Sequence, residues 1–216
     1  MKKALITGAS RGIGRAIAED LGKDHHIYAG ASKDASEVVS ALPSAEPFEA
    51  DLTDTDAILE AAAKIEELDV LVLAAGVMDG GPLEELTDDK WREMMEVNLF
   101  APVTLTRALL PALRRSSGLI ITINSGAGFH GMAENSAYCA SKFALRGFTE
   151  SLAQEEAGKV RVTSLHPGRT DTDMLAGSND MPKMAADEVA KAARLAVDAG
   201  PDAVVEFLRV RPAFTS

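Results

Sequence analysis

The sequence predicts an α/β protein with a doubly wound, mostly parallel sheet of about seven strands and helices on both faces. Short apolar runs alternate with longer helical patterns about six times along the chain, an order typical of parallel sheets with helical connections. Residues 70–75 are nearly all apolar, as expected for a strand that helices cover on both sides.

Short apolar runs mark the predicted strands. In chain order these strands cover residues 3–7, 26–30, 48–51, 70–75, 119–124, 160–165 and 203–208. Apolar residues at helical spacing mark the predicted helices, which cover residues 13–21, 55–67, 88–114, 136–156 and 187–197. Pro102 and Pro111 interrupt the longest helical pattern, so we expect kinks or a break there. Residues 169–186 mix Asp, Gly, Asn, Met and Pro and predict a mobile loop or a short helical lid.

Length and charge limit the number of domains and the kinds of partner that the chain can have. The 216 residues fit a single domain spanning residues 1–216 better than two domains. The formal net charge of −11 should repel nucleic acid and anionic membranes, and no apolar run reaches the ~18 residues that a membrane helix needs. The one cysteine, Cys139, suits a reducing compartment, and the histidine spacing suggests no metal site. We therefore expect a cytoplasmic protein without a nucleic-acid, membrane or metal partner.

The first loop has the composition of a nucleotide-binding turn. Thr7-Gly8-Ala9-Ser10-Arg11-Gly12-Ile13-Gly14 follows a predicted strand and opens a predicted helix. Small residues let the backbone approach a phosphate closely, and the N–H groups at the start of the helix favour a negative charge. Glycines also mark ordinary turns, but the position between strand and helix favours nucleotide binding.

The residues after the second predicted strand bear on which dinucleotide binds. An acidic side chain there would accept a hydrogen bond from the ribose 2′-hydroxyl and repel a 2′-phosphate. The strand instead runs into Gly30-Ala31-Ser32-Lys33, with no acid before Asp34. Together with Arg11, Ser32 and Lys33 can hold a 2′-phosphate by charge-assisted hydrogen bonds. This pattern favours NADP(H) over NAD(H), with ordinary surface residues as the competing interpretation, above all for Lys33.

Tyr138 and Lys142 are four residues apart in a predicted helix and therefore share a helix face. A phenol, with a pKa of about 10, is a poor acid or base at neutral pH. An ammonium about 4 Å away, at an effective dielectric near 20, would favour the phenolate by roughly 4 kcal/mol, on the order of three pKa units. The spacing is common by chance, so a half-buried tyrosine beside a solvated lysine is the alternative without further context.

Two further polar residues favour a functional role for Tyr138 and Lys142 over a chance spacing. Ser125 follows the fifth predicted strand, where its hydroxyl would face the crevice at the carboxyl edge of the sheet and bond a substrate oxygen. Asn98 lies among apolar neighbours inside the long helical pattern, where a buried asparagine disfavours the helix. We expect Asn98 to bind a water or mark a kink, and a solvent-facing position is the alternative.

With these residues in place, the sequence resembles the short-chain dehydrogenase/reductase family. The matching segments, in the family's order, are residues 7–14, Asp51-Leu52, Ala74-Ala75-Gly76, Asn98, Ser125, Tyr138-x-x-x-Lys142 and Pro167-Gly168. The resemblance implies a Rossmann-like fold, Tyr138 as the general acid/base, and Lys142 as the residue that lowers its pKa and binds the nicotinamide ribose. It also implies that Ser125 positions the reacting oxygen and that Asn98 holds a proton-relay water.

The resemblance also extends the set of expected cofactor contacts. Asp51 would meet the adenine amino group, Thr172 would hold the carboxamide, and a basic residue at Arg11 accompanies NADP preference in the family. The residues expected to bind the cofactor are Gly8, Ser10, Arg11, Gly12, Ile13, Gly14, Ser32, Asp51, Leu52, Ala74, Ala75, Gly76, Tyr138, Lys142, Pro167, Gly168, Thr170 and Thr172. The sequence departs from the family pattern in lacking an asparagine in Leu73-Ala74-Ala75-Gly76, and in carrying Asn124 for a frequent serine and Ala31 for an arginine.

The expected activity is hydride transfer between NADP(H) and a carbonyl or secondary alcohol, on a rather hydrophobic small-molecule substrate. One alternative is a non-catalytic NADP-binding sensor or scaffold, but the presence of all four catalytic residues argues against it. The other is a nucleotide-sugar epimerase or dehydratase, which usually carries a second substrate domain. The resemblance further implies a homodimer or homotetramer, commonly built from the helices at residues 88–114 and 136–156.

Overall fold

The computed structural model of the chain contains a seven-stranded sheet in which all neighbouring strands are parallel. The structure describes residues 1–175, 181–200 and 202–213, so part of the predicted lid, residues 176–180, lies outside the described residues. The strands are β1 (Lys2–Ile6), β2 (His25–Ala31), β3 (Ala45–Glu49), β4 (Val70–Leu73), β5 (Leu119–Ile123), β6 (Arg161–Pro167) and β7 (Phe207–Val210). Their order across the sheet is β3-β2-β1-β4-β5-β6-β7, which confirms the predicted doubly wound α/β class.

Helices cover both faces of the sheet. They are α1 (Gly12–Leu21), α2 (Ser36–Ala41), α3 (Thr55–Ala62), α4 (Asp88–Met95), α5 (Ala101–Ser116), α6 (Ser136–Glu155) and α7 (Ala186–Val197). On one face α1, α2 and α7 pack with Ala4 and Ile6 of β1, and on the other face α3, α5 and α6 pack with Leu5. Successive strand residues point to opposite faces, which is why the central strands are apolar throughout. None of these helices, within the described ranges, is long and apolar enough to cross a bilayer.

The sequence predictions differ most from the structure at the edges of the sheet. β3 covers Ala45–Glu49 rather than residues 48–51, and β7 covers Phe207–Val210 rather than residues 203–208. Exposed and half-buried residues dominate both edge strands, so neither has the continuous apolar run that marks a central strand. The sequence patterns also miss α2, because that helix of six residues buries only Val38.

The longest helical pattern does not break at its prolines. Pro102 occupies the first turn of α5, where its missing N–H costs little, and Pro111 lies inside the same continuous helix. The irregularity falls earlier, in a π-helical turn at Glu96–Phe100 that separates α4 from α5. There the Ala101 N–H bonds to the carbonyl of Glu96, five residues back. The expected kink is therefore a widened turn rather than a proline bend.

The carboxyl ends of β1 and β4 lie side by side at the point where the strand order reverses. Ile6 of β1 pairs with Ala29 of β2 on one side and with Val72 of β4 on the other. The chain after β1 enters α1 on one face of the sheet, whereas the chain after β4 leads to α5 on the opposite face. Such a reversal opens a crevice at the carboxyl edge, where doubly wound folds bind ligands.

Candidate active site

A cavity of about 500 Å³ occupies the crevice at the carboxyl ends of β1, β2 and β4. The predicted cofactor-binding residues that line it are Gly8, Ser10, Arg11, Gly12, Ile13, Gly14, Ser32, Asp51, Leu52, Ala74, Ala75, Gly76 and Thr172. Lining residues that the sequence did not assign to the cofactor include Thr7, Phe48, Ala50, Glu93 and Asp173. Across the described ranges, no three His, Cys, Asp or Glu side chains are placed to hold a metal ion.

The glycine turn is shaped by close backbone contacts that exclude side chains. Gly8 has a φ of +66°, and a Cβ there would lie 2.9 Å from the Cα of Ala75. A Cβ on Gly14 would lie 2.2 Å from the Gly8 carbonyl oxygen, so a larger residue would force the turn apart. Helix α1 begins at this turn without a side-chain cap on its first N–H groups. The turn therefore combines the close backbone approach and the helix dipole that a pyrophosphate fits.

Thr7 joins the two sides of the crevice, a role that the sequence analysis missed. Its Oγ1 accepts hydrogen bonds from the N–H groups of Ala74 and Ala75, each at 3.0 Å. These bonds tie the end of β1 to the chain that leaves β4. The hydroxyl therefore fixes the width of the crevice beside the glycine turn.

Two of the three residues expected near the ribose 2′-phosphate line the cavity. Arg11 and Ser32 line the cavity, whereas Lys33 does not. Nη1 of Arg11 lies 3.5 Å from Oδ2 of Asp173, and both side chains are largely exposed. An exposed ion pair of this kind contributes little, so the guanidinium can exchange Asp173 for a stronger anion.

Asp51 lines the cavity close to the end of β3. Its Oδ1 accepts hydrogen bonds from the backbone N–H of Thr53 at 2.9 Å and from the Thr53 hydroxyl at 2.8 Å. The backbone N–H and then the hydroxyl lower the pKa of the Asp51 carboxyl. The group is therefore an ionised acceptor at neutral pH, suited to an amino donor.

Three of the expected cofactor residues at the end of β6 do not line the cavity. Pro167 pairs with Val210 in the sheet, and the Gly168 N–H donates to the Val210 carbonyl at 2.6 Å. Thr170 is buried, and its hydroxyl donates to the Gly168 carbonyl at 3.0 Å. These residues hold the turn that brings Thr172 to the cavity wall.

Tyr138, Ser125 and Lys142 come together where α6 passes the carboxyl end of β5. Tyr138 and Lys142 are both buried, one helical turn apart, with the Lys142 Nζ 5.7 Å from the centre of the phenol ring. The Ser125 hydroxyl lies close enough to the phenol to lower its pKa. The Lys142 Nζ donates a hydrogen bond to the Ile123 carbonyl at 3.0 Å. The structure thus gathers three of the four predicted catalytic residues at one place.

The structure reverses the expected direction of the Tyr138 pKa shift. Burial raises the pKa of the phenol, the Ser125 hydroxyl opposes this rise, and Cys139 adds to it. The Lys142 Nζ donates its hydrogen bond to Ile123 rather than to the phenol, and burial lowers the Lys142 pKa to about 8, so the lysine does not offset the effect of burial on the Tyr138 pKa. Burial favours the neutral form of both groups. In this state the phenol holds its proton at neutral pH and is a donor.

Asn98 lies in the middle of the π turn and is fully buried, which excludes a solvent-facing position. Its Oδ1 accepts from the Val77 N–H at 2.9 Å, and its Nδ2 donates to the Val77 carbonyl at 2.9 Å and to the Ser141 Oγ at 3.0 Å. A Cβ on Gly76 would lie 3.2 Å from the Asn98 Oδ1 and 3.7 Å from the Lys142 Nζ. Gly76 lines the cavity, and Asn98 and Lys142 lie close to it, but neither they nor Ser125 and Tyr138 line the cavity themselves.

Comparison with known proteins identifies the family. A family model described as short chain dehydrogenase matches residues 2–183. This chain belongs to the short-chain dehydrogenase family. The match includes the glycine turn, the π turn and the segment that carries Tyr138, and it confirms the resemblance inferred from the sequence.

Several relatives of this short-chain dehydrogenase are known. Nodulation protein G of Rhizobium sp. (strain N33) is 38% identical over 194 residues, which span 85% of this chain and 79% of the relative. The 3-oxoacyl-(acyl-carrier-protein) reductase FabG of Escherichia coli (strain K12) is 35% identical over 189 residues, 83% of this chain and 78% of the relative. A solved alcohol dehydrogenase from the archaeon Thermococcus sibiricus, complexed with 5-hydroxy-NADP, superposes with a TM-score of 0.91 at 30% identity, over 100% of this chain and 98% of that one. A metagenomic short-chain oxidoreductase in complex with NADP has a TM-score of 0.85 at 35% identity, over 99% and 98% of the two chains.

Proposed function

We propose that this short-chain dehydrogenase transfers a hydride between NADP(H) and a carbonyl or secondary alcohol, with Tyr138 as the general acid/base. The observation that carries the proposal is the burial of Tyr138 beside Ser125 and Lys142 at the carboxyl edge of the sheet. Val77 and Met78 line the cavity and also pack against the apolar cluster that contains Tyr138. The wall of the dinucleotide cavity therefore continues into the proposed reaction site.

The cavity fits a nicotinamide dinucleotide, which supplies or accepts the hydride when bound. The glycine turn would hold the pyrophosphate, and Asp51 would accept from the adenine amino group. Thr172 would hold the carboxamide, and Lys142 would bind the nicotinamide ribose. Two relatives of known structure were solved with NADP or 5-hydroxy-NADP, in support of this assignment.

Arg11 and Ser32 support NADP(H) over NAD(H). Both line the cavity, and the residues from Gly30 to Lys33 include no acid that would repel a 2′-phosphate. Arg11 would exchange its exposed contact with Asp173 for the doubly charged phosphate, a stronger hydrogen-bond partner.

The proposed chemistry uses the protonated phenol as its starting state. During reduction Tyr138 donates its proton to the carbonyl oxygen, and the Ser125 hydroxyl donates a hydrogen bond to the same oxygen. Burial keeps the pKa of Tyr138 high, so the donor is protonated at neutral pH. Lys142, with a pKa of about 8, is mostly cationic at neutral pH and stabilises the tyrosinate that forms. In oxidation the tyrosinate accepts the alcohol proton.

Asn98 would hold a water that relays protons toward Lys142. The Asn98 Oδ1 already accepts from the Val77 N–H and both N–H groups of the amide are bonded, so the main-chain carbonyl is the better acceptor for such a water. Pro102, four residues further on, has no N–H to donate to that carbonyl. The π turn and the proline together favour a carbonyl that is available for another partner.

We also propose a homo-oligomer that uses α5 and α6. Phe100, which ends the π turn before α5, and Phe143 on α6 are 49% and 45% exposed, and an interface between two copies of the chain would cover both. Sedimentation should give a dimer or tetramer, and Phe143→Asp should shift it toward the monomer. A parent chain that sediments as a monomer contradicts this assignment.

The proposed reaction is tested by incubating the protein with NADPH and a panel of apolar aldehydes and ketones. We expect NADPH consumption and alcohol formation in equal amounts. Tight NADPH binding without consumption across the panel would favour the sensor instead. Conversion of a nucleotide sugar without net change in the cofactor would favour the epimerase, and either result contradicts the proposal.

A further inference from the structure

His166 lies near the end of β6, directly beside the backbone of Ser125. Its Nδ1 is 3.1 Å from the Ser125 carbonyl oxygen, and its Nε2 is 2.7 Å from the Ser164 Oγ. The residue is 1% exposed. The rings of Phe129 and Phe207 each pack with their centres 4.6 Å from the imidazole centre. Both ring nitrogens are thus occupied, and two aromatic rings restrict the plane of the imidazole.

These partners determine which nitrogen carries the proton. A carbonyl oxygen only accepts, so the His166 Nδ1 must donate to Ser125, and the Ser164 hydroxyl then donates to the unprotonated Nε2. Burial lowers the pKa of His166, the hydrogen bond to the Ser125 carbonyl opposes this, and Arg146, Arg209 and Lys142 lower it further. The imidazole is therefore neutral at neutral pH and keeps one tautomer.

The Ser125 backbone is held from several sides. Its N–H donates to the Asn124 Oδ1 at 2.9 Å, and its carbonyl accepts from the Gly128 N–H at 3.1 Å as well as from His166. The Ser125 Oγ accepts from the Ala127 N–H at 3.2 Å. The direction of the hydroxyl thus depends on the short turn that His166 anchors to β6.

We propose that His166 is a positioning residue that holds the Ser125 carbonyl and so orients the serine hydroxyl toward Tyr138 and the reacting oxygen. This role rests on the proposed function, because it acts on the step that Ser125 and Tyr138 perform. His166 is enclosed by Ser125, Ser164 and two aromatic rings, so its effect on the reaction passes through Ser125. A residue that only filled space would not need Ser164 to fix its donating tautomer.

The test compares two substitutions that differ in one hydrogen bond. His166→Asn places an amide nitrogen where Nδ1 lies, whereas His166→Phe keeps a ring but removes both nitrogens. We expect His166→Phe to lower kcat about 10- to 100-fold at an unchanged Kd for NADPH, and His166→Asn to stay within about threefold of the parent kcat. In a Ser125→Ala background, His166→Phe should change kcat less than about twofold, because no hydroxyl remains to be oriented.

His25 provides a matched control at the amino end of β2. It is also buried, with its Nδ1 bonded to Asp24 at 2.7 Å, and it does not line the cavity. His25→Phe should lower the free energy of unfolding and leave kcat unchanged. The proposal is overturned if His166→Phe keeps the parent kcat, if Asn and Phe at position 166 lower kcat equally, or if the loss is as large without the Ser125 hydroxyl.

A second readout does not require turnover. The chain has two tyrosines, so in a Tyr28→Phe background the ultraviolet absorbance of tyrosinate reports Tyr138 alone. His166→Phe should move this titration to higher pH, because the serine hydroxyl that favours the phenolate loses its orientation. An unchanged titration contradicts the proposal. If Tyr138→Phe keeps the parent turnover, the proposed function fails; if it abolishes turnover while His166→Phe changes neither readout, only the role of His166 fails.

Discussion

The Lys142 Nζ lies 5.7 Å from the centre of the Tyr138 ring, yet its hydrogen bond goes to the Ile123 carbonyl at 3.0 Å. The ammonium is therefore buried against a neutral acceptor, and burial lowers the Lys142 pKa to about 8. Burying a cation in this way destabilises the folded state at neutral pH. The arrangement keeps a positive charge near the phenol, where it can stabilise a tyrosinate, and it makes stability depend on pH.

Replacing Lys142 by methionine should stabilise the protein while abolishing turnover. Between pH 8 and 10.5 the unfolded chain binds the lysine proton and the folded chain does not, so the free energy of unfolding rises with pH across that window. Below it the full penalty applies, roughly 3 kcal/mol. Lys142→Met should raise the free energy of unfolding at pH 7 by up to about that amount. It should also remove the increase in this free energy between pH 8 and 10.5. Urea unfolding at several pH values measures the stability and its pH dependence, and NADPH consumption measures the turnover.

Lys64, which is exposed just after α3, serves as the control for this substitution. Lys64→Met should change the free energy of unfolding at pH 7 by less than about 0.5 kcal/mol and leave turnover as in the parent. A Lys142→Met protein that is less stable than the parent at pH 7 would contradict the assigned cost of burial.

Arg11→Gln should weaken NADPH binding and leave NADH binding nearly unchanged. Removing a charge-assisted bond to the 2′-phosphate costs about 1.5–3 kcal/mol, a rise of about 10- to 100-fold in Kd. Fluorescence titration with the two cofactors gives the values. Arg15→Gln is the control, since Arg15 bonds Glu19 and Glu37 and does not line the cavity. Equal losses for NADPH and NADH in Arg11→Gln would speak against a 2′-phosphate contact.

Gly14→Ala should disrupt the glycine turn, because its Cβ would lie 2.2 Å from the Gly8 carbonyl oxygen. We expect the free energy of unfolding to fall by about 1–3 kcal/mol or more, as at an overpacked core site, or the protein to bind neither cofactor. Gly147→Ala on α6 meets nothing within 4 Å in the single chain and should leave NADPH binding as in the parent. Thermal unfolding and NADPH titration of both variants decide this, and a Gly14→Ala protein with parental binding would be inconsistent with the close turn.

Asn98→Ala should destabilise the protein strongly, because it leaves both backbone groups of Val77 without their partner and removes one of the two hydrogen bonds of the Ser141 hydroxyl. A buried network of this size should cost about 2–4 kcal/mol in urea unfolding. Asn135→Ala removes a bond to the Ala133 carbonyl at a less buried position and should cost under about 1 kcal/mol. Equal costs for the two would contradict the structural importance of the π turn.

The parts of the fold that follow from local pattern could be predicted from the sequence. The run of residues 70–75 is apolar because helices cover both faces of β4, and the short glycine turn needs its small residues at fixed positions. β7 was predicted to start four residues too early, because at an edge only half of its residues are even partly covered. The prolines placed the predicted kink too late, because the widened turn precedes Pro102, whereas Asn98, which the sequence marked for a water or a kink, lies inside that turn.

In the candidate site, too, the features within one element could be predicted and the contacts between distant residues could not. The Tyr138–Lys142 spacing is a property of one helix and could be read directly, whereas the partners of Thr7 lie 67 and 68 residues away and that of His166 lies 41 away. No local signal identifies such contacts. The predicted direction of the Tyr138 pKa shift was wrong for a related reason. The direction depends on burial and on where the Lys142 side chain points, and the spacing of the two residues determines neither.

The most direct measurement is the turnover of Tyr138→Phe beside Tyr28→Phe, the only other tyrosine in the chain. Tyr28 is half-buried in β2, where its ring packs against His26 rather than beside Ser125 and Lys142. We expect Tyr138→Phe to lower kcat about a thousandfold, with the Kd for NADPH within about twofold of the parent, and Tyr28→Phe to keep the parent kcat. A Tyr138→Phe protein that reduces the carbonyl at the parent rate would contradict the assignment of the proton donor.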